Sequence, residues 1–221
     1  MKLAHLADTH IGFRQFGIEE REEDFRRAFE RAIEEILRSG VQMVLHSGDL
    51  LESPMPRLTH LNFLYMQLKR LQEAGIPIFG ILGNHDRPRV SSYLSAQGFF
   101  HQMGMFHLLS ADGKPDWTVW NDIFIAGISY NEPEITGEST SFWEEAFALL
   151  EEQSRPYPVR LLMLHQGITD LIPPRLPAEL PLELLPKNFH YIALGHVHFP
   201  KVQKFGAGII SYPGSTELWR W

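Results

Sequence analysis

Five apolar runs in this chain each end in side chains that commonly bind metal ions. The clearest is the run 76–82, which ends in Gly83-Asn84-His85-Asp86. Asn, His and Asp are poor strand formers, and Gly permits a tight turn beside them. Taken alone, this tetrapeptide also fits a simple turn in which Asn and Asp bond to their own backbone. Four more runs end in the same way, at Asp8-Thr9-His10, Gly48-Asp49, His165 and Gly195-His196-Val197-His198.

Strand and helix patterns alternate along the first 82 residues. Apolar residues recur at helical spacing over 19–38 and 58–74, while the runs 2–7, 41–46 and 76–82 predict strands. This order predicts parallel βαβ units with right-handed crossovers, and hence an α/β fold. Because sites assemble at the carboxyl ends of parallel strands, we expect the polar strand ends to meet.

The second half of the chain predicts more strands than helices. The dipeptide Asn121-Asp122 predicts a hairpin turn, and five prolines make 173–186 a loop. Helices are expected from 90 to about 100 and, capped by Ser139 or Thr140, to about 153. With no internal repeat or linker, one domain over 1–221 is the simplest organisation. The predicted strands are 105–109, 117–121, 123–129, 159–164, 191–194, 201–205 and 208–212.

Composition narrows the function classes. A hydrophobic fraction of 44% is enough for a sizeable core, and the absence of cysteine excludes disulfides, zinc–thiolate sites and thiol nucleophiles. A net charge of −7 is not typical of a protein that grips nucleic acid alone, although bound cations would change the local sign. The sequence has neither a signal-peptide core nor a membrane-spanning run, which predicts a soluble cytoplasmic protein without a membrane partner.

The strand-end side chains predict a centre for two metal ions. Carboxylate, amide and imidazole ligands without thiolate suit manganese, iron, cobalt or zinc. Seven or eight ligands are too many for one ion, and Asp49 after Gly48 is the expected bridge between two. Paired metals of this kind most often serve phosphoester hydrolysis. The other histidines are expected to be core or packing residues, namely His5, His46, His60, His101, His107 and His190.

Taken together, the motifs resemble the full signature of the calcineurin-like metallophosphoesterases. The segments 6–12, 83–87 and 212–217 are similar to the DNA double-strand-break repair nucleases of the SbcD type. The resemblance implies a sandwich of two mixed β-sheets flanked by helices, with the metals at the strand ends. It also implies a manganese-dependent DNA nuclease, acting as exonuclease and endonuclease, that works with an SMC-like ABC ATPase.

The resemblance also assigns roles to individual residues. Asp8, His10, Asp49 and His198 would hold the first metal, and Asp49, Asn84, His165 and His196 the second. His85 would face the scissile phosphate and stabilise its charge or protonate the leaving oxygen, with Asp86 orienting the ring.

Two departures from this branch bear on the substrate. Several members carry a His three residues after the bridging Asp, where this chain has Glu52, a carboxylate expected near the substrate. The branch also continues into a cap domain and an ATPase-binding region, which are expected to be absent from 1–221. A phosphodiesterase for nucleotides or other small phosphodiesters, and a non-catalytic scaffold of the same fold, therefore remain alternatives.

The predicted helix 58–74 has a broad apolar stripe, including Leu58, Leu61 and Leu64. Packing on the sheet accounts for part of such a stripe. In the resembled branch, helices of this region pair two subunits, which implies a homodimer.

Overall fold

A computed structural model describes residues 1–88, 94–132, 139–173 and 178–219. Two short 3-10 turns, Gln15–Gly17 and Leu182–Leu184, accompany the regular elements. The helices are α1 (Glu19–Arg38), α2 (Leu58–Glu73), α3 (Ala96–Gln102) and α4 (Ser139–Ser154). The strands are β1 (Leu3–Leu6), β2 (Met43–Ser47), β3 (Ile78–Ile81), β4 (His107–Leu108), β5 (Asp116–Trp120), β6 (Ile123–Ile128), β7 (Val159–His165), β8 (Tyr191–Gly195), β9 (Lys201–Phe205) and β10 (Gly208–Tyr212).

The first sheet has four strands in the order β1-β2-β3-β4, and its pairings are parallel. Helices α1 and α2 make the crossovers between its first three strands. In α1 the side chains of Phe29, Ile33 and Ile36 recur at helical spacing and are buried against this sheet. In α2, Leu64 and Leu68 are buried in the same core, whereas Leu58 is 80% exposed.

The second sheet is mixed and has six strands in the order β5-β6-β7-β8-β10-β9. Its centre is parallel, and the hairpins β5–β6 and β9–β10 make its edges antiparallel. Asn121 and Asp122 both have positive φ, 48° and 62°, as the predicted tight hairpin turn requires. Helix α4 packs on this sheet through Trp143, Phe147 and Leu150.

The two sheets pack face to face. Alternate residues of β2, Met43 and Leu45, meet Leu161 and Met163 of β7 in a core without solvent exposure at three of these four positions. We call this core the seam. Because it sets how the two sheets lie against each other, it also sets which of their strand ends are neighbours.

The predicted α/β sandwich of two sheets with flanking helices is confirmed, with small differences in boundaries. Part of the helix predicted over 90–100 lies outside the described residues, and α3 begins only at Ala96, where Ser95 accepts a hydrogen bond from the Gly98 amide. The side chains of Ser139 and Thr140, the predicted cap of α4, also lie outside them. In the part of the chain that the structure describes, no helix has the length and apolar content needed to cross a membrane.

Candidate metal centre

The polar strand ends converge at one edge of the sandwich. The first sheet brings Asp8 after β1, Asp49 after β2, and Asn84 and His85 after β3. The second sheet brings His165 at the end of β7, and His196 and His198 after β8. Asp8, His10, Asp49 and His165 are each 0–1% exposed, so most of the polar cluster is shielded from water.

The backbone at these strand ends is unusually constrained. Asp8, His10, Asp49 and His196 all adopt positive φ, between 43° and 85°, which is uncommon for non-glycine residues and concentrates at functional sites. Gly83 must be glycine because a Cβ there would collide with the Asp49 carboxylate. The turn after β3, which carries Gly83, therefore packs directly against the turn after β2, which carries Asp49.

One group of side chains surrounds the amide oxygen of Asn84. Asn84 Oδ1 lies 3.2 Å from His165 Nε2 and 3.1 Å from His196 Nδ1. His165 Nε2 is in turn 3.2 Å from Asp49 Oδ2. We call Asp49, Asn84, His165 and His196 the second ligand set, because these atoms face a common point.

A second group lies on the other side of Asp49. His10 Nε2 is 3.3 Å from His198 Nε2 and 3.8 Å from Asp49 Oδ2. His198 Nε2 is 3.7 Å from Asp8 Oδ1. Asp8, His10, Asp49 and His198 are the first ligand set, and it shares only Asp49 with the second.

The partners of Nδ1 in His165 and His10 decide which ring nitrogen is available to a metal ion. His165 Nδ1 donates to the Ser47 carbonyl oxygen at 2.6 Å, and His10 Nδ1 lies 3.0 Å from Glu52 Oε2. With the proton held on Nδ1, each ring presents the lone pair of Nε2 to its ligand set. This arrangement is typical of metal-binding histidines.

These residues fit a pair of divalent ions. Asp8 Oδ2 is buried with no hydrogen-bond partner among the described residues, although an unpaired buried carboxylate oxygen is costly. His10, His198 and Asp8 form one compact group of possible ligand atoms, and Asp8, Asp49 and His165 form another. Oxygen and imidazole donors without sulfur suit manganese, iron, cobalt or zinc.

The electrostatics of the metal-free chain show how crowded the charges are. Burial raises the pKa of Asp8 to about 7. Burial alone would lower the pKa of His165, but the Asp49 and Asp8 carboxylates raise it to about 9. Burial opposes ionisation of Asp49 too, yet His165 holds its pKa well below the usual range. Binding of cations therefore requires the release of protons from this cluster.

His85 lies beside the ligand sets and is itself part-exposed. Its backbone amide donates to Asp49 Oδ1 at 2.9 Å, which ties the β3 turn to the shared carboxylate. Its ring Nδ1 lies 3.1 Å from the Glu52 carbonyl oxygen and 3.4 Å from Glu52 Oε2. The ring is therefore anchored through Nδ1, and Nε2 is the nitrogen left for a substrate.

Asp86 makes different contacts from those that the sequence predicted. Its carboxylate is 1% exposed and accepts hydrogen bonds from the backbone amides of Leu50, Leu51 and Gly83, at 3.0–3.2 Å. It thus clamps the turn after β2 to the turn after β3, and the partner of the His85 ring is Glu52. Asp86 therefore does not contact the His85 ring as expected, because its short side chain turns inward and bonds to these backbone amides.

Glu52 is better described as a support for histidines than as a bare carboxylate facing substrate. It contacts both His10 and His85, and its side chain is 25% exposed. Burial raises the pKa of Glu52 to about 7. The sequence placed it near the substrate, and the structure adds that its charge is directed at two imidazoles.

Two further residues at the site were not predicted. Trp219 lies over His10, with ring centroids 3.8 Å apart, and stacks on Phe13 at 4.0 Å. Glu179, from the proline-rich loop, lies 3.5 Å from His196 Nε2. Neither belongs to a strand-end motif, so no local pattern marks it.

Comparison with known proteins agrees with this geometry. The family model for calcineurin-like phosphoesterases matches residues 1–200. The DNA double-strand break repair protein Mre11 of Thermoplasma acidophilum is 36% identical over 218 residues, covering 97% of this chain and 56% of the relative. The Mre11 protein of Methanocaldococcus jannaschii is 35% identical over 219 residues, covering 99% of this chain and 57% of the relative.

A solved structure supports the fold. A dimetal phosphatase from Danio rerio superposes with a TM-score of 0.61, covering 97% of this chain and 87% of that one. Its sequence identity of 11% limits the likeness to the fold. The chain spans a little over half the length of the Mre11 relatives named above.

Proposed function

Because the chain belongs to the calcineurin-like phosphoesterase family, we propose that it hydrolyses DNA phosphodiesters at a centre of two divalent metal ions. The observation that carries this proposal is the pair of ligand sets, which have Asp49 as their one common member. DNA as the substrate is supported by the names of the Mre11 relatives, and the donor types suit manganese as well as iron, cobalt or zinc.

The ligand sets support this chemistry. When bound, two divalent ions polarise the phosphate and lower the pKa of the attacking water. Asp8, His10 and His198 would hold one ion, Asn84, His165 and His196 the other, and Asp49 both. Glu52 and the Ser47 carbonyl hold Nδ1 of His10 and His165, so the Nε2 lone pair of each ring would be available to an ion.

His85 is the proposed catalytic group. Its Nδ1–H is held by the Glu52 carbonyl, and Glu52 Oε2 lies 3.4 Å from the same nitrogen. With both nitrogens protonated, the ring stabilises negative charge on the phosphate and donates the Nε2 proton to the leaving oxygen. Asp86 contributes by keeping the two turns that carry Asp49 and Asn84 together.

The test is hydrolysis by the manganese-loaded chain of end-labelled double- and single-stranded DNA, with an aryl phosphodiester alongside. We expect DNA cleavage, and a loss of about 10²- to 10⁴-fold in His85→Ala with both metals retained. His101→Ala, an exposed histidine on α3, is the matched control. Cleavage that survives His85→Ala would remove this residue from the chemistry.

Hydrolysis of small phosphodiesters is the second candidate. It is favoured by the net charge of −7, which opposes the approach of a polyanion. Turnover of the aryl diester without DNA cleavage would establish it. A chain that binds less than one metal and cleaves neither substrate would be a scaffold.

We extend the proposal to the assembly. Residues 1–221 form one phosphoesterase domain of a cytoplasmic repair nuclease that cooperates with an SMC-like ABC ATPase. On α2, Leu58 is 80% and Met66 is 51% exposed, which supports pairing of two copies through this helix. Light scattering at micromolar concentration should give about twice the 25.5 kDa mass of one chain; monomers alone would reject the pairing.

A further inference from the structure

The buried carboxylate of Glu179 stands behind the second ligand set. Its Oε1 lies 3.5 Å from His196 Nε2, on the side of the ring away from Asn84. The His196 ring is therefore bracketed, with Nδ1 toward the ligand set and Nε2 toward Glu179. This is the order of atoms in a carboxylate–histidine–metal relay.

Glu179 is itself held firmly. Its Oε2 accepts a hydrogen bond from the Gly167 amide at 2.8 Å, and its own backbone amide donates to the Gly167 carbonyl at 2.8 Å. Its side chain is only 5% exposed. Burying a carboxylate this deeply is costly unless it has partners, and one partner of this carboxylate is the fixed Gly167 amide.

Tyr130 completes the arrangement. Its hydroxyl donates to Glu179 Oε1 at 3.2 Å, the same oxygen that faces His196. Its ring lies 5.6 Å from the His196 ring and 6.1 Å from the His165 ring, measured between centroids. Tyr130 thus contacts both imidazoles of the second ligand set while holding the carboxylate behind one of them.

The loop that carries Gly167 is also anchored. Tyr212, at the end of β10, donates its hydroxyl proton to the Gln166 carbonyl at 2.7 Å and accepts from the Ile168 amide at 2.9 Å. The two bonds flank Gly167, which positions Glu179. A continuous set of contacts therefore runs from the core of the second sheet to His196.

We propose that Glu179, supported by Tyr130, is a positioning residue that keeps His196 competent to bind the second metal ion. The proposal rests on the two-metal centre proposed above. It goes beyond that centre because it assigns one of the two ions a dependence on a carboxylate that touches neither substrate nor metal. The first ligand set has no contact with Glu179 among the described residues, so its ion should be indifferent to the change.

The test measures Mn²⁺ binding by titration calorimetry in half-site backgrounds. His198→Ala leaves the second ligand set, and there Glu179→Gln should weaken Mn²⁺ about 10- to 100-fold. Asn84→Ala leaves the first ligand set, and there the same change should have no effect. Glu183→Gln, an exposed glutamate of the same loop, is the matched control and should leave both affinities unchanged.

Each outcome separates the two proposals. Unchanged Mn²⁺ affinity of Glu179→Gln in the His198→Ala background overturns the role of Glu179, and fewer than two ions in the wild-type chain overturns the metal centre itself. Equal weakening of both ions together with a lower melting temperature of the metal-free protein would show a merely structural role. If Glu179→Gln fails to fold, Tyr130→Phe decides: a smaller loss confined to the second ion supports the proposal, and no loss overturns it.

Discussion

The two sheets contribute different chemistry to the centre. The four-stranded sheet supplies the oxygen donors of the proposed ligand sets, Asp8, Asp49 and Asn84, with His10 as its one imidazole in those sets, whereas the six-stranded sheet supplies imidazoles alone, from His165, His196 and His198. Neither set of strand ends would hold a divalent pair by itself. The site therefore exists only when the seam between the sheets is closed.

Direct bonds reinforce that dependence. The Ser47 carbonyl of the first sheet holds the His165 ring of the second, and Asp8 Oδ1 accepts from the His196 amide at 2.9 Å. A metal ion that binds only the assembled centre stabilises the packed sheets, because its binding free energy adds to the free energy of unfolding. We therefore expect metal affinity and sheet packing to be coupled in this fold.

The largest expected effect comes from the residue that both ligand sets share. Asp49→Ala removes a ligand from each set, so we expect less than one bound metal ion per chain and no measurable hydrolysis. Calorimetric titration with Mn²⁺ measures this, with Asp112→Ala, an exposed carboxylate in the turn between β4 and β5, as control. Two ions retained in Asp49→Ala would show that the sheets hold their metals independently.

A substitution that opens a cavity in the seam should have the second-largest effect. Leu45→Ala, at a fully buried position between the sheets, should lower the free energy of unfolding by about 2–5 kcal/mol. It should also weaken Mn²⁺ binding, because the strand ends lose their alignment. Leu150→Ala, equally buried but between α4 and the second sheet, is the control: a similar loss of stability with unchanged metal affinity. Equal Mn²⁺ affinity of Leu45→Ala and Leu150→Ala would show that packing in the seam does not affect the metal centre.

The smallest effect concerns pH at a contact between the sheets. His5 Nε2 lies 2.9 Å from Ser47 Oγ and Nδ1 lies 3.0 Å from Tyr191 Oη, which joins β1 to β8. Burial lowers the pKa of His5 to about 3 from its ordinary 6.5. The folded chain therefore binds fewer protons than the unfolded chain between these values, and stability should fall as pH drops from 6.5 toward 3.

A proton that His5 binds in the unfolded chain but not in the folded chain changes the free energy of unfolding by about 1.4 kcal/mol per pH unit. His5→Gln should accordingly show a shallower decline than the wild type, by up to about that slope, in urea unfolding of the metal-free protein. Parallel declines in both proteins would place the acid sensitivity elsewhere.

The convergence of the proposed metal ligands was predictable because the signal of each strand end is local. A run of apolar residues that ends in Asp, Asn or His marks a buried strand with polar groups at its end, and parallel strands bring those ends together. This logic found Asp8, Asp49 and Asn84 in the first sheet and His165 in the second. It also predicted the two-residue hairpin at Asn121-Asp122.

The supports behind the ligands were not predictable in the same way. Asp86 lies in the most conspicuous motif, yet its role depends on backbone amides of Leu50 and Leu51 that become neighbours only through folding. Glu179 lies in a proline-rich loop with no periodicity, and Trp219 lies beyond the last strand. The contacts of Glu179 with His196 and of Trp219 with His10 span 17 or more residues of sequence, which no local pattern encodes.

Anomalous diffraction from manganese-soaked crystals tests the central claim most directly. We predict two manganese peaks about 3.5–4 Å apart, with Asp49 between them. One should lie among Asp8, His10 and His198, and the other among Asn84, His165 and His196. A single peak, or a peak at Glu52 between His10 and His85, would contradict a centre built jointly by the two sheets.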